Sequence, residues 1–183
     1  NGYYSTANIK KPEMKAGFKL SNIGFAQAYK ELDMVQKMAP IFENLKGNFS
    51  GSINVLTDLD ATMSPVLNTM QGDGSLSTRD LSLSGVKAID EIADAVKQPS
   101  LKDMKVKDMT LDFTIKDGRV ETKPFDIKMG DYNLNLSGST GLDQTIDYSG
   151  KIKLPASTGI SKLMTLDLKI GGSFTSPKVS VDT

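Results

Sequence analysis

Apolar positions recur along this chain with two periods, and the change between them organises the fold. Over 13–20, Met14, Ala16, Phe18 and Leu20 alternate with other residues, a period of two that predicts a short strand. Phe25, Ala28, Leu32, Val35, Met38 and Phe42 then recur every three or four residues. That single apolar stripe predicts a helix over 24–42, kinked or ended by Pro40. Gly47 opens a strand through Phe49, Gly51, Ile53 and Val55. Ser64-Pro65 begins a short apolar segment, so 60–70 is expected to hold one or two helical turns. Gly72 and Gly74 mark the next strand, which runs through Leu76 to Leu81 and Leu83. Val86, Ile89, Ile92, Ala93 and Val96 predict a second amphipathic helix over 86–97, with Lys87, Asp90, Glu91, Asp94 and Lys97 toward water and Pro99 as its stop.

From residue 104 the period becomes two and stays there. Met109, Leu111, Phe113 and Ile115 alternate with Thr110, Asp112, Thr114 and Lys116, and Asp117-Gly118 predicts a two-residue type I′ hairpin turn. The return strand carries Val120 and Thr122, then Phe125, Ile127 and Met129; the parity slips at Pro124, which predicts a bulge or an edge position there. Gly130-Asp131 turns the chain into a strand with Tyr132, Leu134 and Leu136, ending near 138–141. Ile146, Tyr148, Ile152 and Leu154 form the next, ended by Pro155 and a Ser/Thr/Gly loop. Leu166, Leu168 and Ile170 resume the alternation, Gly171-Gly172 interrupts it, and Phe174, Val179 and Val181 close the chain around Pro177.

The pattern predicts an α+β fold: an antiparallel, twisted β-sheet meander of about eight strands with two amphipathic helices packed on one face. Residues 1–12 are polar and read as a linker or tail ending at Pro12, leaving 13–183 as a single domain. A weak internal repeat pairs strand 13–20 and its helix with strand 74–83 and its helix. Two helices, each roughly 10 Å wide against about 4.8 Å per strand, cover four or five strands, so part of the apolar face lacks an internal cover.

Composition narrows the chemistry. The 183 residues hold 22 basic and 22 acidic side chains, a net charge of zero, and no His, Cys or Trp. Charge balance without a basic stripe argues against nucleic acid as a partner. Without His or Cys, Ser-His-Asp, Cys-His and thiol redox chemistry are excluded, and a zinc site would have only carboxylates. No run of 18 apolar residues spans a bilayer. The chain opens on Asn1 rather than Met, so a longer parent chain is expected.

The remaining motifs are weak. Ser84 and Lys87 have the Ser-x-x-Lys spacing of serine acyl enzymes but lack the partner motifs; Ser84 is expected to cap the second helix and Lys87 to be solvated. Asp58 and Asp60 could hold a divalent cation, yet the loop lacks the spacing of a calcium loop. Asp112 and Lys116, Asp126 and Lys128, and Asp167 and Lys169 read as charge pairing on a solvated sheet face rather than as a carboxylate pair in a cleft. Gly72-Asp73-Gly74 lacks a dinucleotide fingerprint's third glycine. The sequons at Asn48 and Asn135 fall inside predicted strands.

Several segments, in order, resemble the C-terminal region of AsmA-family proteins of the Gram-negative envelope. They are Gly-Asp-Gly-Ser-Leu-Ser-Thr-Arg-Asp-Leu-Ser-Leu-Ser-Gly at 72–85, then Thr-Leu-Asp-Phe-Thr-Ile-Lys-Asp-Gly-Arg-Val-Glu-Thr-Lys-Pro-Phe at 110–125. Gly-Leu-Asp-Gln-Thr-Ile-Asp-Tyr at 141–148, Lys-Leu-Pro at 153–155 and Ile-Gly-Gly-Ser-Phe-Thr-Ser-Pro-Lys-Val at 170–179 follow. The resemblance covers 72–155 best, is looser from about 47, and adds little over 1–46. It implies a non-enzymatic, periplasmic domain serving outer-membrane biogenesis, tethered to the inner membrane by an N-terminal helix outside these residues. TamB-type relatives form curved sheets with an apolar groove for phospholipid, so lipid transport or binding is the implied role. The expected partners are phospholipid acyl chains, the rest of the parent chain and other envelope proteins, with no cofactor, no metal, no catalytic residue and no nucleic acid. The family transfers no residue motif. From the alternation, Phe113, Ile115, Phe125, Ile127, Leu134 and Leu136 are the expected acyl-contacting face, or plain core. The alternative is a protein-interaction or capping module of a larger envelope protein with no lipid contact.

Overall fold

Alternating residues put every second side chain on one face, and here the alternation survives across one continuous antiparallel sheet. The computed structural model describes residues 2–5, 12–155 and 164–182. Its strands are β1 (Gly2–Ser5), β2 (Glu13–Gly24), β3 (Leu45–Asp58), β4 (Gln71–Ser84), β5 (Asp103–Lys105), β6 (Thr110–Lys116), β7 (Arg119–Met129), β8 (Tyr132–Gly141), β9 (Ile146–Leu154), β10 (Met164–Gly172) and β11 (Pro177–Asp182). They form an 11-stranded sheet in the order β1-β2-β3-β4-β6-β7-β8-β9-β10-β11, with β5 paired to the far end of β4. The sheet-rich antiparallel class is as expected; the strand count exceeds the expected eight. Part of the excess is β1, whose residues pair with Glu13–Ala16 inside the segment read as a tail. The open edge of β2 is a template for pairing whatever the apolar pattern of the incoming strand. The Ser/Thr/Gly loop expected after Pro155 lies outside the described residues.

The turns follow local chemistry. Asp117 and Gly118 both take positive φ, 52° and 74°, as a type I′ turn requires. Gly130, at φ 57°, opens the β7–β8 turn. The slip at Pro124 is a bulge: between Thr122 and Phe125, β7 carries one residue more than β8 opposite. Two further register shifts interrupt β2 between Leu20 and Ile23 and the β3–β4 pair between Lys46 and Asn48, with Asn22 (φ 52°) and Asp80 (φ 55°) in the left-handed region beside them. Bulges of this kind bend the strand and raise its twist.

The helices depart from expectation. The stripe over 24–42 forms two short helices, α1 (Phe25–Glu31) and α2 (Asp33–Met38), followed by a 3₁₀ turn over Pro40–Asn44. Leu32, extended at φ −114° and ψ 110°, divides them and is itself 44% exposed. The break has a tertiary cause: it lets Phe25 and Ala28 join one buried cluster while Met38 joins another. The second predicted helix is α3 (Lys87–Val96), burying Ile89, Ile92 and Ala93 as its stripe predicts. Residues 60–70 yield only a 3₁₀ turn at Leu67–Thr69, because Pro65 is drawn into a bridge with Leu59.

Helix α3 shows how the sheet is shaped. It starts three residues after β4 ends, yet it packs on β11, and Lys87 Nζ donates to the Thr175 carbonyl in the β10–β11 connection at 3.0 Å. Flat, β4 and β11 would stand about 29 Å apart at 4.8 Å per strand, roughly twice the length of this helix. The sheet therefore coils, with its apolar face turned inward around α3. The larger buried cluster joins Ile92 and Ala93 to Phe49, Leu81, Leu134, Ile152 and Leu168.

Candidate functional site

Registered partners in a ladder share a face, so the pairing defines rows of side chains running across the sheet. One row reads Phe18, Ile53, Gly74, Phe113, Thr122, Gly138, Tyr148, Ile170 and Val179 from β2 to β11. The row beside it reads Ala16, Val55, Gly72, Ile115, Val120, Thr140 and Ile146. On the other side stand Leu20, Gly51, Leu76 and Leu111, and, past the Pro124 bulge, Phe125, Leu136, Gly150, Leu168 and Val181. The inward face is therefore apolar without a charged residue in these rows, and the outward face carries the Asp, Lys, Ser and Asn.

Glycines recur on the inward face for a steric reason. A Cβ at Gly51 would stand 2.2 Å from the Ser75 carbonyl oxygen, at Gly72 2.2 Å from that of Asn54, and at Gly150 1.7 Å from that of Asn135. Coiling toward this face brings neighbouring backbones too close for side chains at every position, and glycine relieves the crowding.

All six sequence-predicted contact residues lie on this inward face, but they divide by burial. Ile115, Leu134 and Leu136 are buried, Leu134 completely, and belong to the protein's own core. Phe113, Phe125 and Ile127 are half-buried against it. Leu134 and Leu136 share a cluster with the buried stripe of α3, with Phe125 and Ile127 at its margin; Ile115 shares one with Met38 of α2, with Phe113 at its margin. Phe18, in the same row as Phe113, is 48% exposed and was not among the six. Its alternation was plain in the sequence; which strands the helices leave open was not.

The weaker candidates resolve into structural roles. Ser84 ends β4, Val86 occupies the N-cap of α3 without a side-chain cap, and the Lys87 amine binds Thr175, so the expected Ser84 cap is not made. Gly85, at φ 70°, explains this by turning the chain before the helix starts. The Asp60 carboxylate accepts from Thr62 Oγ1 at 2.7 Å and from the Thr62 and Ser64 amides, holding it below the ordinary carboxylate range. Among the described residues no group of three acidic residues is placed to hold a metal ion. Lys151 Nζ meets Asp167 at 2.8 Å across registered strands, and Asp126 accepts from Asn135 Nδ2, so the polar face is tied by cross-strand pairs other than those expected. Asn48 and Asn135, the sequon residues, both lie in strands.

One polar cluster stands out that the sequence did not indicate. Arg119 donates from Nε to Ser139 Oγ at 3.0 Å and from Nη1 to Thr145 Oγ1 at 2.7 Å, and sits 3.8 Å from Asp143. Asp143 accepts from Thr145 Oγ1 at 2.6 Å and from its amide, which with Arg119 nearby holds its carboxyl below the usual range. Every donor here has a local acceptor, so the cluster fastens the β8–β9 turn to β7. No helix among the described residues is long and apolar enough to cross a membrane. Compared with known protein families, curated proteins and solved structures, the chain matches none.

Proposed function

We propose that this chain is a non-enzymatic domain of the bacterial cell envelope, of AsmA type, that serves outer-membrane biogenesis by holding phospholipid acyl chains against the inward face of its sheet. One observation carries the reading: apolar rows run from β2 to β11 without a charged residue, yet Phe18, Ile53, Leu76, Leu111 and Phe113 are not sealed by the helices. Acyl chains laid on such a surface gain about 25 cal/mol per Å² of apolar area removed from water. The ordered sequence segments resembling the AsmA C-terminal region supply the compartment: periplasmic, with a membrane tether outside these residues.

Photo-crosslinking in the envelope tests this. A photoreactive phenylalanine analogue at Phe18 or Phe113 is expected to capture phospholipid, and one at Thr114, on the opposite face, is not. Equal labelling at all three positions, or none, contradicts the proposal.

A second reading has its own support. Ile115, Leu134 and Leu136 are sealed by the chain's own helices, which suits a capping module closing the end of a longer sheet. Crosslinks from Phe18 to protein rather than to lipid would favour it.

A further inference from the structure

The two helical covers of the inward face are fastened in different ways. Helix α3 has polar ties to the sheet and its connections: Lys87 Nζ to Thr175, and Gln98 Oε1, just past its end, accepting from Tyr132 Oη at 2.7 Å. Residues 25–43, spanning α1 and α2, have no such side-chain tie of their own; the nearest stands just past them, where Asn44 Nδ2 donates to the Gly85 carbonyl at 3.2 Å. Among the described residues, their side-chain hydrogen bonds and ion pairs run only to one another: Gln36 Nε2 to the Tyr29 carbonyl, and Lys37 to Asp33. Both helices are short, 7 and 6 residues, and neither has a side-chain cap. Among the described residues, the side chains that hold this segment on the sheet are apolar, and its outer end, α2, rests on a small cluster separate from the main core: Met38 packs with Val55, Met70 and Ile115, and Met34 lies against them. Methionine side chains are flexible and repack easily around a new neighbour.

We propose that α1–α2 is a displaceable cover over an acyl-chain seat formed by Val55, Met70 and Ile115, with Met34 and Met38 occupying that seat in the absence of ligand. An acyl chain can replace methionine methylenes contact for contact, and no side-chain hydrogen bond from 25–43 to the sheet has to break first. Removing one buried side chain from the cover should shift its open–closed balance toward open and so raise ligand affinity. The inference rests on the acyl-binding reading above.

Hydrogen exchange by mass spectrometry on the full chain, with and without oleate below its micellar concentration, tests it. Oleate is expected to speed amide exchange over 25–39 while α3 and β9 stay protected, and Met38→Ala is expected to bind oleate roughly tenfold more tightly than the unaltered chain. Binding of oleate with unchanged exchange over 25–39 overturns the cover and leaves acyl binding elsewhere on the face. No binding of oleate to the unaltered chain or to Met38→Ala overturns both. Exchange in the unaltered chain decides the matter if the variant fails to fold.

Discussion

The ring of Phe113 lies across Gly74, its registered partner on the neighbouring strand: a Cβ on Gly74 would stand 2.6 Å from Phe113 Cζ and 2.5 Å from the Ser52 carbonyl oxygen. Tyr148 stands to Gly138 in the same way, 2.8 Å from the position of a Cβ there. An aromatic ring folded over a cross-strand glycine restores the packing that the glycine lacks. Gly74→Ala should therefore destabilise the fold by roughly 1–3 kcal/mol through overpacking. Urea unfolding should show a lower midpoint at unchanged slope.

Glycine position should matter more than glycine itself. Gly150→Ala places a Cβ 1.7 Å from a backbone oxygen, whereas a Cβ at Gly171 meets nothing within 4 Å. Gly150→Ala is expected to cost more than Gly74→Ala, since its Cβ would press closer on a backbone carbonyl oxygen, 1.7 Å against 2.5 Å at Gly74. Gly171→Ala is expected to change stability by less than about 0.5 kcal/mol. The same denaturation series, run on all three variants, checks the order.

Core and open face should separate under truncation. Leu134 is fully buried, and Leu134→Ala should cost roughly 2–5 kcal/mol through lost contacts and a cavity. Phe18 is half exposed, and Phe18→Ser should cost only about 1 kcal/mol. Thermal melts of the two variants measure the contrast.

Acid should weaken the fold partly through Asp143 and Asp60. The carboxyl of Asp143 is lowered first by the Thr145 hydroxyl and then by the Thr145 amide, with a smaller contribution from Arg119; that of Asp60 is lowered by the Thr62 hydroxyl and the Ser64 and Thr62 amides. A carboxyl that titrates lower in the folded than in the unfolded chain contributes stability in full above its unfolded pKa. That contribution is lost as pH falls through the folded value. Asp143→Asn should therefore be less stable than the unaltered chain at neutral pH, and the gap should narrow below about pH 4. Melting temperatures across that range test the sign.

Much of the sheet was legible because alternation is local. The parity slip at Pro124 identified the β7 bulge, and Asp117-Gly118 identified its turn, since both act through a residue's own backbone. The break at Leu32 was not legible: its side chain fits the helical stripe, and the chain bends there only because Phe25 and Met38 belong to different clusters. The short strand β1 was hidden because pairing to an open edge needs no apolar pattern. At the candidate site, periodicity put six residues on one face, the inward one, but could not rank their burial. Burial of Leu134 and exposure of Phe18 depend on where α2 and α3 come to rest, which is a long-range property.

Acyl-chain binding on the inward face has a direct readout. Native mass spectrometry of the protein purified from a Gram-negative host, paired with solvent extraction and lipid analysis, tests it most directly. Stoichiometric phospholipid is expected on the folded chain, and it is lost in Phe18→Asp or Phe113→Asp variants that keep the unaltered circular dichroism spectrum. A folded chain that carries no lipid from the host and takes up none from phospholipid vesicles would contradict it.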